Sequence, residues 1–246
     1  ASYNDIDLCF DNNVDDGITT NPKIMESTGD LSLGFEAACQ ALLEKYPNVP
    51  VSVETDLGGL KAKDLERQKD KVKEVMMDQA LKLASLGKNA IIKIPVCTGG
   101  LMAVEELTKR GIKTNVTACM SPFQALAAAK AGATYVSYFA NRALDSHIID
   151  LAGEPLDIIR TGNWKAVANA NREKYFNDAW ARVLSQITYI AKELEENYPN
   201  TELIIGSIRS VEDMYRLAKA KPHIITIPTK IVKGFNPKSD KSMALR

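Results

Sequence analysis

The sequence predicts an α/β protein built as a single (β/α)8 barrel over residues 1–246. Three observations carry this reading. Eight short β-branched apolar runs alternate with longer amphipathic segments, the pattern of parallel βαβ units. Gly87, Gly111 and Gly132 each close a helical segment just before a strand, the usual join from helix C-terminus to strand. The first strand lacks the G-x-G-x-x-G turn of a dinucleotide site, which argues against an open doubly wound sheet.

In chain order the predicted strands are IDLCFD (6–11), GITT (17–20), VSVET (51–55), AIIKIPV (90–96), IKTNVT (112–117), TYVSYF (134–139), ELIIGS (202–207) and HIITIP (223–228). The predicted helices are 34–46, 64–87, 100–111, 121–132, 175–198 and 210–220. In the last of these, Val211, Met214, Tyr215 and Ala218 form an i, i+3, i+4, i+7 stripe. Two places break the rhythm. Only NNVDD separates Asp11 from Gly17, and five residues cannot make a parallel crossover, which needs about a dozen. Either the first two strands are not parallel neighbours, or the chain as given omits a segment near Asn13–Val14, and omission is the favoured reading. A long connection follows the sixth strand at about 143–174. It is either a lid over the strand C-termini or a helical decoration.

The bulk numbers set limits. With 45% hydrophobic and 25% charged residues the chain reads as globular. Its 31 basic and 31 acidic side chains cancel, so nothing in bulk favours nucleic acid or an anionic membrane, and any anion needs a local site. No apolar run is long enough to span a bilayer, and the N-terminus shows no apolar signal core. Cys9, Cys39, Cys97 and Cys119 are scattered and read as reduced thiols of a cytosolic protein. His147 and His223 have no partner at metal-ligand spacing, so no metal is expected.

Chemistry in a barrel sits at the C-terminal ends of the strands, and here nearly every predicted strand ends in a polar residue. Asp11 ends the first, Thr19 and Asn21 the second, Glu54 the third and Lys93 the fourth. Asn115 and Thr117 end the fifth, Ser137 the sixth, and Ser207 with Arg209 the seventh. Taken singly, each has a plain role: Asp11 caps a turn, the threonines are ordinary strand formers, and a strand lysine snorkels to water. Lys93 resists that role because Ile91, Ile92, Ile94 and Pro95 leave it no wet face. Taking an ammonium out of water favours its neutral form, which is a nucleophile. The inference is a Schiff-base lysine acting on a ketone, with Glu54 and Asp11 as proton carriers. Arg142 and Arg209 would grip a phosphate, whose oxygens match guanidinium groups.

DGITTNP (16–22), IIKIP (91–95), GIKTNVTA (111–118), SPFQALAAAKAGATYVSYFANR (121–142) and GSIRS (206–210) resemble, in order and as a set, the motifs of the transaldolase family. That family includes small-subunit transaldolases and the related fructose-6-phosphate aldolases. The resemblance implies a TIM barrel with no metal or organic cofactor, and sugar-phosphate substrates whose dihydroxyacetone unit is transferred. By motif, Lys93 resembles the Schiff-base lysine and Asp11 the first-strand proton carrier. Glu54 resembles the carboxylate that works with Thr117 through a water molecule. Asn21, Asn115 and Ser137 resemble the groups that hold dihydroxyacetone hydroxyls, with Thr19 beside them. Arg142, Ser207 and Arg209 resemble the phosphate site.

Glu54 and Phe139 are transaldolase-like, since the aldolase branch typically has Gln and Tyr at these positions. The tail KSDKSMALR departs from the C-terminal helix that helps small-subunit relatives form rings, and homo-oligomerisation stays open. The rival readings are an aldolase releasing dihydroxyacetone and a non-catalytic sugar-phosphate-binding barrel.

Overall fold

The computed structural model describes residues 6, 7, 9, 10, 16–27, 34–57, 59–153 and 172–234. The expected alternation holds along most of it. Strands β1 (Ile18–Thr19), β2 (Val51–Glu54), β3 (Ala90–Pro95), β4 (Thr114–Cys119), β5 (Tyr135–Phe139), β6 (Glu202–Gly206) and β7 (Ile224–Ile225) form one parallel sheet in sequence order. The helices are α1 (Pro22–Ser27), α2 (Phe35–Lys45), α3 (Lys69–Ser85), α4 (Thr98–Lys109), α5 (Pro122–Lys130), α6 (Ala140–Ala152), α7 (Arg172–Asn197), α8 (Val211–Ala218) and α9 (Thr229–Gly234).

The sheet is curled. Asn115 Nδ2 on β4 donates to Ser52 Oγ on β2 at 3.1 Å, across the intervening β3. Alternate strands of a flat sheet lie roughly 10 Å apart, too far for that bond. These side chains therefore share the concave face. Val51, Val53, Ile92, Ile94, Val116, Val136, Leu203 and Ile205 are buried. At a period of two they alternate with that face and make the outer layer against the helices.

Among the described residues the sheet has seven strands rather than the eight of a closed barrel, and β1 and β7 are its edges. The strand expected at 6–11 is not one: Ile6, Asp7, Cys9 and Phe10 are helical. A strand there would need a crossover that the short link to Gly17 cannot provide. The segment instead buries Ile6 and Cys9 in the core, stacks Phe10 on Tyr46 at 4.7 Å and pairs Asp7 with Lys45. Lys45, and after it Tyr46, also hold the Asp7 carboxyl below its ordinary range through their hydrogen bonds to it. The proposed omission near Asn13–Val14 falls outside the described residues.

The long connection expected at about 143–174 begins instead as α6, which follows β5 without a loop and buries Leu144, Ile148 and Ile149. Residues 154–171 lie outside the described set, as does the tail 235–246. Gly111 and Gly132 do take the left-handed conformation at their helix ends (φ 73° and 93°), whereas the chain passes Gly87 without it.

Two tight features aim the chain toward the strand C-termini. Asn89 donates Nδ2 to the carbonyls of Leu43, Tyr46 and Val49 at 3.3, 2.9 and 3.0 Å. It thereby ties the end of α2 to the start of β3. At Gly100 in the first turn of α4, a Cβ would sit 2.4 Å from the Pro95 carbonyl oxygen. Only glycine lets this helix start so close behind β3.

Candidate active site

The register of the sheet builds the site. Glu54 on β2 pairs with Lys93 on β3, and Lys93 pairs with Asn115 on β4. Directly opposed residues on neighbouring strands point to the same face, so one carboxylate, one amine and one amide stand side by side on the concave side. Lys93 is only 7% exposed. Its Nζ donates to Glu54 Oε2 at 2.9 Å and to the Thr20 carbonyl at 3.0 Å. Asn21, just past β1, donates Nδ2 to the same Glu54 oxygen at 3.1 Å. Ser137 on β5 donates to Asn115 Oδ1 at 2.7 Å. A chain of polar contacts thus runs from Asn21 through Glu54 to Lys93, and a second runs from Ser52 through Asn115 to Ser137.

Thr117 is buried, and its Oγ1 has no hydrogen-bond partner among the described residues. The β4–β5 ladder shifts register between Val116 and Cys119, and Ala118 sits at φ 63°. This local kink sets the direction of Thr117.

A second polar group forms at the C-terminal ends of β5 and β6. Phe139 ends β5 with its ring over Gly206, where a Cβ would approach ring carbons to 3.2 Å. Arg142 is exposed in the first turn of α6. Ser207 adopts φ 64°, and its carbonyl accepts from Asn141 Nδ2 at 2.7 Å. Arg209 is gripped through both terminal nitrogens by Asp145, with Nη1 at 2.7 Å from Oδ1. That carboxylate holds the guanidinium further above its already high ordinary pKa.

Of the residues singled out from the sequence, Lys93, Glu54, Asn21, Asn115 and Ser137 come together, and Thr117 lies buried on β4. Phe139, Ser207 and Arg209 lie at the C-terminal ends of β5 and β6, and Arg142 is exposed in the first turn of α6. Thr19 is not in the lysine cluster. It is exposed and lines a separate cavity of about 530 Å³ between β1 and β7. Its neighbour Thr20 supplies the carbonyl instead. Asp11 lies outside the described residues. The β1–β7 cavity, with Ser52 and Ile91 in its wall, does not touch Lys93 or Glu54. It lies between the two edge strands of the described sheet. A second cavity of about 520 Å³ borders Glu54, Asp56 and Gln79.

Sequence reasoning missed Ser52, Thr20, Asn141 and Asp145. Ser52 was legible, because it precedes Glu54 by two and shares its face. Asn141 and Asp145 share one helix face at i, i+4, but no helix is among those predicted there: about 143–174 reads as a long connection, either a lid or a helical decoration. Among the described residues no group of three or more His, Cys, Asp or Glu is placed to hold a metal, and no helix is long and apolar enough to cross a membrane.

A curled parallel α/β sheet with a lysine–carboxylate pair at its strand C-termini defines the class: an α/β enzyme with its polar centre at the strand ends. A family model described as Transaldolase/Fructose-6-phosphate aldolase matches residues 1–245, and the chain belongs to that family, as an enzyme of transaldolase type. It is 34% identical over 235 residues to a probable transaldolase of Caldicellulosiruptor saccharolyticus, covering 94% of this chain and 84% of that one. It is 35% identical over 217 residues to a probable transaldolase of Clostridium botulinum, covering 88% and 76%. It is also 31% identical over 226 residues to a 6-deoxy-6-sulfo-D-fructose transaldolase of Priestia aryabhattai, covering 92% and 80%.

Proposed function

We propose that the chain transfers a dihydroxyacetone unit from a ketose phosphate to an aldose phosphate through a Schiff base on Lys93. The donor is sedoheptulose 7-phosphate or fructose 6-phosphate, and the acceptor is glyceraldehyde 3-phosphate or erythrose 4-phosphate. The observation that carries this reading is the buried Lys93 Nζ within 2.9 Å of Glu54, beside Asn115. Glu54 accepts the ammonium proton, and the neutral amine adds to the C2 carbonyl. Loss of water gives an iminium. Removal of the C4 hydroxyl proton, assigned to Asp11, lets the C3–C4 bond break with its electron pair drawn into the iminium. The aldose phosphate leaves, and the enamine on Lys93 adds to the second aldose phosphate. Hydrolysis then returns the free amine.

Glu54 with Thr117 serves the steps that add and remove water, and the unpartnered Thr117 hydroxyl is the group suited to hold that water. Asn21, Asn115 and Ser137 hold the dihydroxyacetone hydroxyls, and Arg142, Ser207 and Arg209 hold the phosphate. The same reading takes the seven-stranded sheet as the greater part of a TIM barrel. It also takes the four cysteines as reduced thiols of a cytosolic enzyme of sugar-phosphate interconversion.

Phe139 favours transfer over simple cleavage. A phenol there would orient water against the enamine, and a phenyl ring cannot. The test is acceptor dependence. Fructose 6-phosphate alone should release almost no free dihydroxyacetone, and adding erythrose 4-phosphate should yield sedoheptulose 7-phosphate. Equal turnover without acceptor would make the protein an aldolase. A sulfonated ketose is a second donor to assay. One relative carries that substrate in its name, and Asp145 offsets much of the positive charge of Arg209.

A further inference from the structure

We infer that Asp145 and Asn141, one turn apart on α6, are positioning residues that build the anion end of the site by fixing Arg209 and Ser207. The inference rests on the proposed phosphate role of those two residues. Asp145 is 1% exposed. A carboxylate buried that deeply is costly unless it is paired, and both its oxygens are taken by the Nη1 and Nη2 atoms of Arg209.

The consequence is geometric. A guanidinium has five N–H groups. Asp145 engages the end formed by the two terminal nitrogens, one N–H from each. Among the described residues the edge formed by Nε–H and the neighbouring Nη–H has no partner, and it is a parallel pair of donors matched to two oxygens of one tetrahedral anion. The Arg209 side chain is 38% exposed while that of Asp145 is 2% exposed. The carboxylate therefore holds the guanidinium from the buried side.

Asn141 does the matching work on the loop between β6 and α8. Its Nδ2 donates to the Ser207 carbonyl at 2.7 Å and to Asp213 Oδ2 at 2.8 Å. The same Asp213 oxygen accepts from the backbone N–H of Arg209 at 3.0 Å and of Ser210 at 3.2 Å. Ser207 is at φ 64°, a conformation that a serine keeps only when its surroundings impose it. Helix α6 thus reaches both anion-binding residues from one face, and it is continuous with β5, which carries Ser137 and Phe139. Neither Asp145 nor Asn141 touches substrate in this account; each acts through its partner.

The test is Asp145→Asn in the full chain, with fructose 6-phosphate as donor and erythrose 4-phosphate as acceptor. The KM for fructose 6-phosphate should rise roughly 10- to 100-fold, the loss expected for a misaligned charge-assisted contact. Borohydride trapping of Lys93 by dihydroxyacetone, which has no phosphate, should stay at the wild-type level. In an Arg209→Ala background, Asp145→Asn should add nothing further. If Asp145→Asn does not fold, Asn141→Ala carries the same prediction, a raised KM with trapping by dihydroxyacetone retained. An unchanged KM would overturn the inference, as would equal losses with fructose 6-phosphate and dihydroxyacetone. Failure of the wild-type protein to trap dihydroxyacetone would instead overturn the Schiff-base reading itself.

Discussion

Lys93 and Glu54 each depend on the other to remain buried. Removing either partner of such a pair leaves a charge out of water and typically costs about 3–5 kcal/mol. Glu54→Gln keeps the shape and a hydrogen-bond acceptor for Lys93 while removing the proton acceptor. Its kcat should fall roughly 100-fold or more, with the melting temperature lowered by less than in Glu54→Ala. Steady-state kinetics and thermal melts of the two variants check this, and a Glu54→Gln enzyme of normal kcat would remove the carboxylate from the mechanism. Phe139→Tyr should raise release of free dihydroxyacetone from fructose 6-phosphate without acceptor, and unchanged release would count against Phe139 as the reason for transfer. Much of this cluster was legible from residues alone, because Glu54, Lys93, Asn115 and Ser137 are polar groups near the ends of consecutive predicted strands, whereas their sharing one face depends on the register between strands. Thr20 was not, because it contributes a carbonyl, and every residue has one.

At the level of elements, the joins between helices and strands hold the site in register. Asn89 satisfies three carbonyls at the end of α2 and the turn after it, just ahead of the strand that carries Lys93. Asn89→Ala should cost about 1–3 kcal/mol, read as a lower urea midpoint with an unchanged slope. Gly100→Ala forces a Cβ against the Pro95 carbonyl oxygen and should destabilise by a similar amount, with a larger loss of kcat because β3 ends there. The joins also explain what the sequence hid. Helix α6 starts at Ala140, the residue after β5 ends, so no turn residues mark its beginning, and its polar Asn141 and Asp145 face a loop rather than water. Nothing in the local sequence marks Asn89, because its three partners come from another part of the chain.

At the scale of the molecule, the outer layer between sheet and helices is apolar, the concave side carries the polar residues, and among the described residues β1 and β7 leave a seam. The period of alternation showed the parallel α/β class, since it depends on short-range patterning. The number of strands could not be read that way, because whether 6–11 pairs with the sheet depends on the length of the link to Gly17 and not on its own β-branched residues. Burial also gives the molecule an alkaline limit. Burial pushes the Cys39 and Cys119 thiols up from 9.0 to about 12. In the unfolded chain they ionise near 9, so between those values the unfolded state holds fewer protons than the folded one. Their stabilising contribution is complete below pH 9 and is lost as pH rises toward 12. A urea midpoint measured at about pH 10.5 should fall below the neutral value, and the fall should be smaller in Cys39→Ala/Cys119→Ala. An equal fall in both proteins would assign the loss to other groups.

A strand-borne amine that bonds covalently to the ketone of a sugar phosphate forms an imine, and an imine can be trapped. Reduction with borohydride in the presence of fructose 6-phosphate, followed by peptide mass mapping, tests it directly. A stable adduct should form on the peptide carrying Lys93 and be absent from Lys93→Met. Reversible binding of the sugar phosphate with no adduct on that peptide, or an adduct on another lysine, would contradict it.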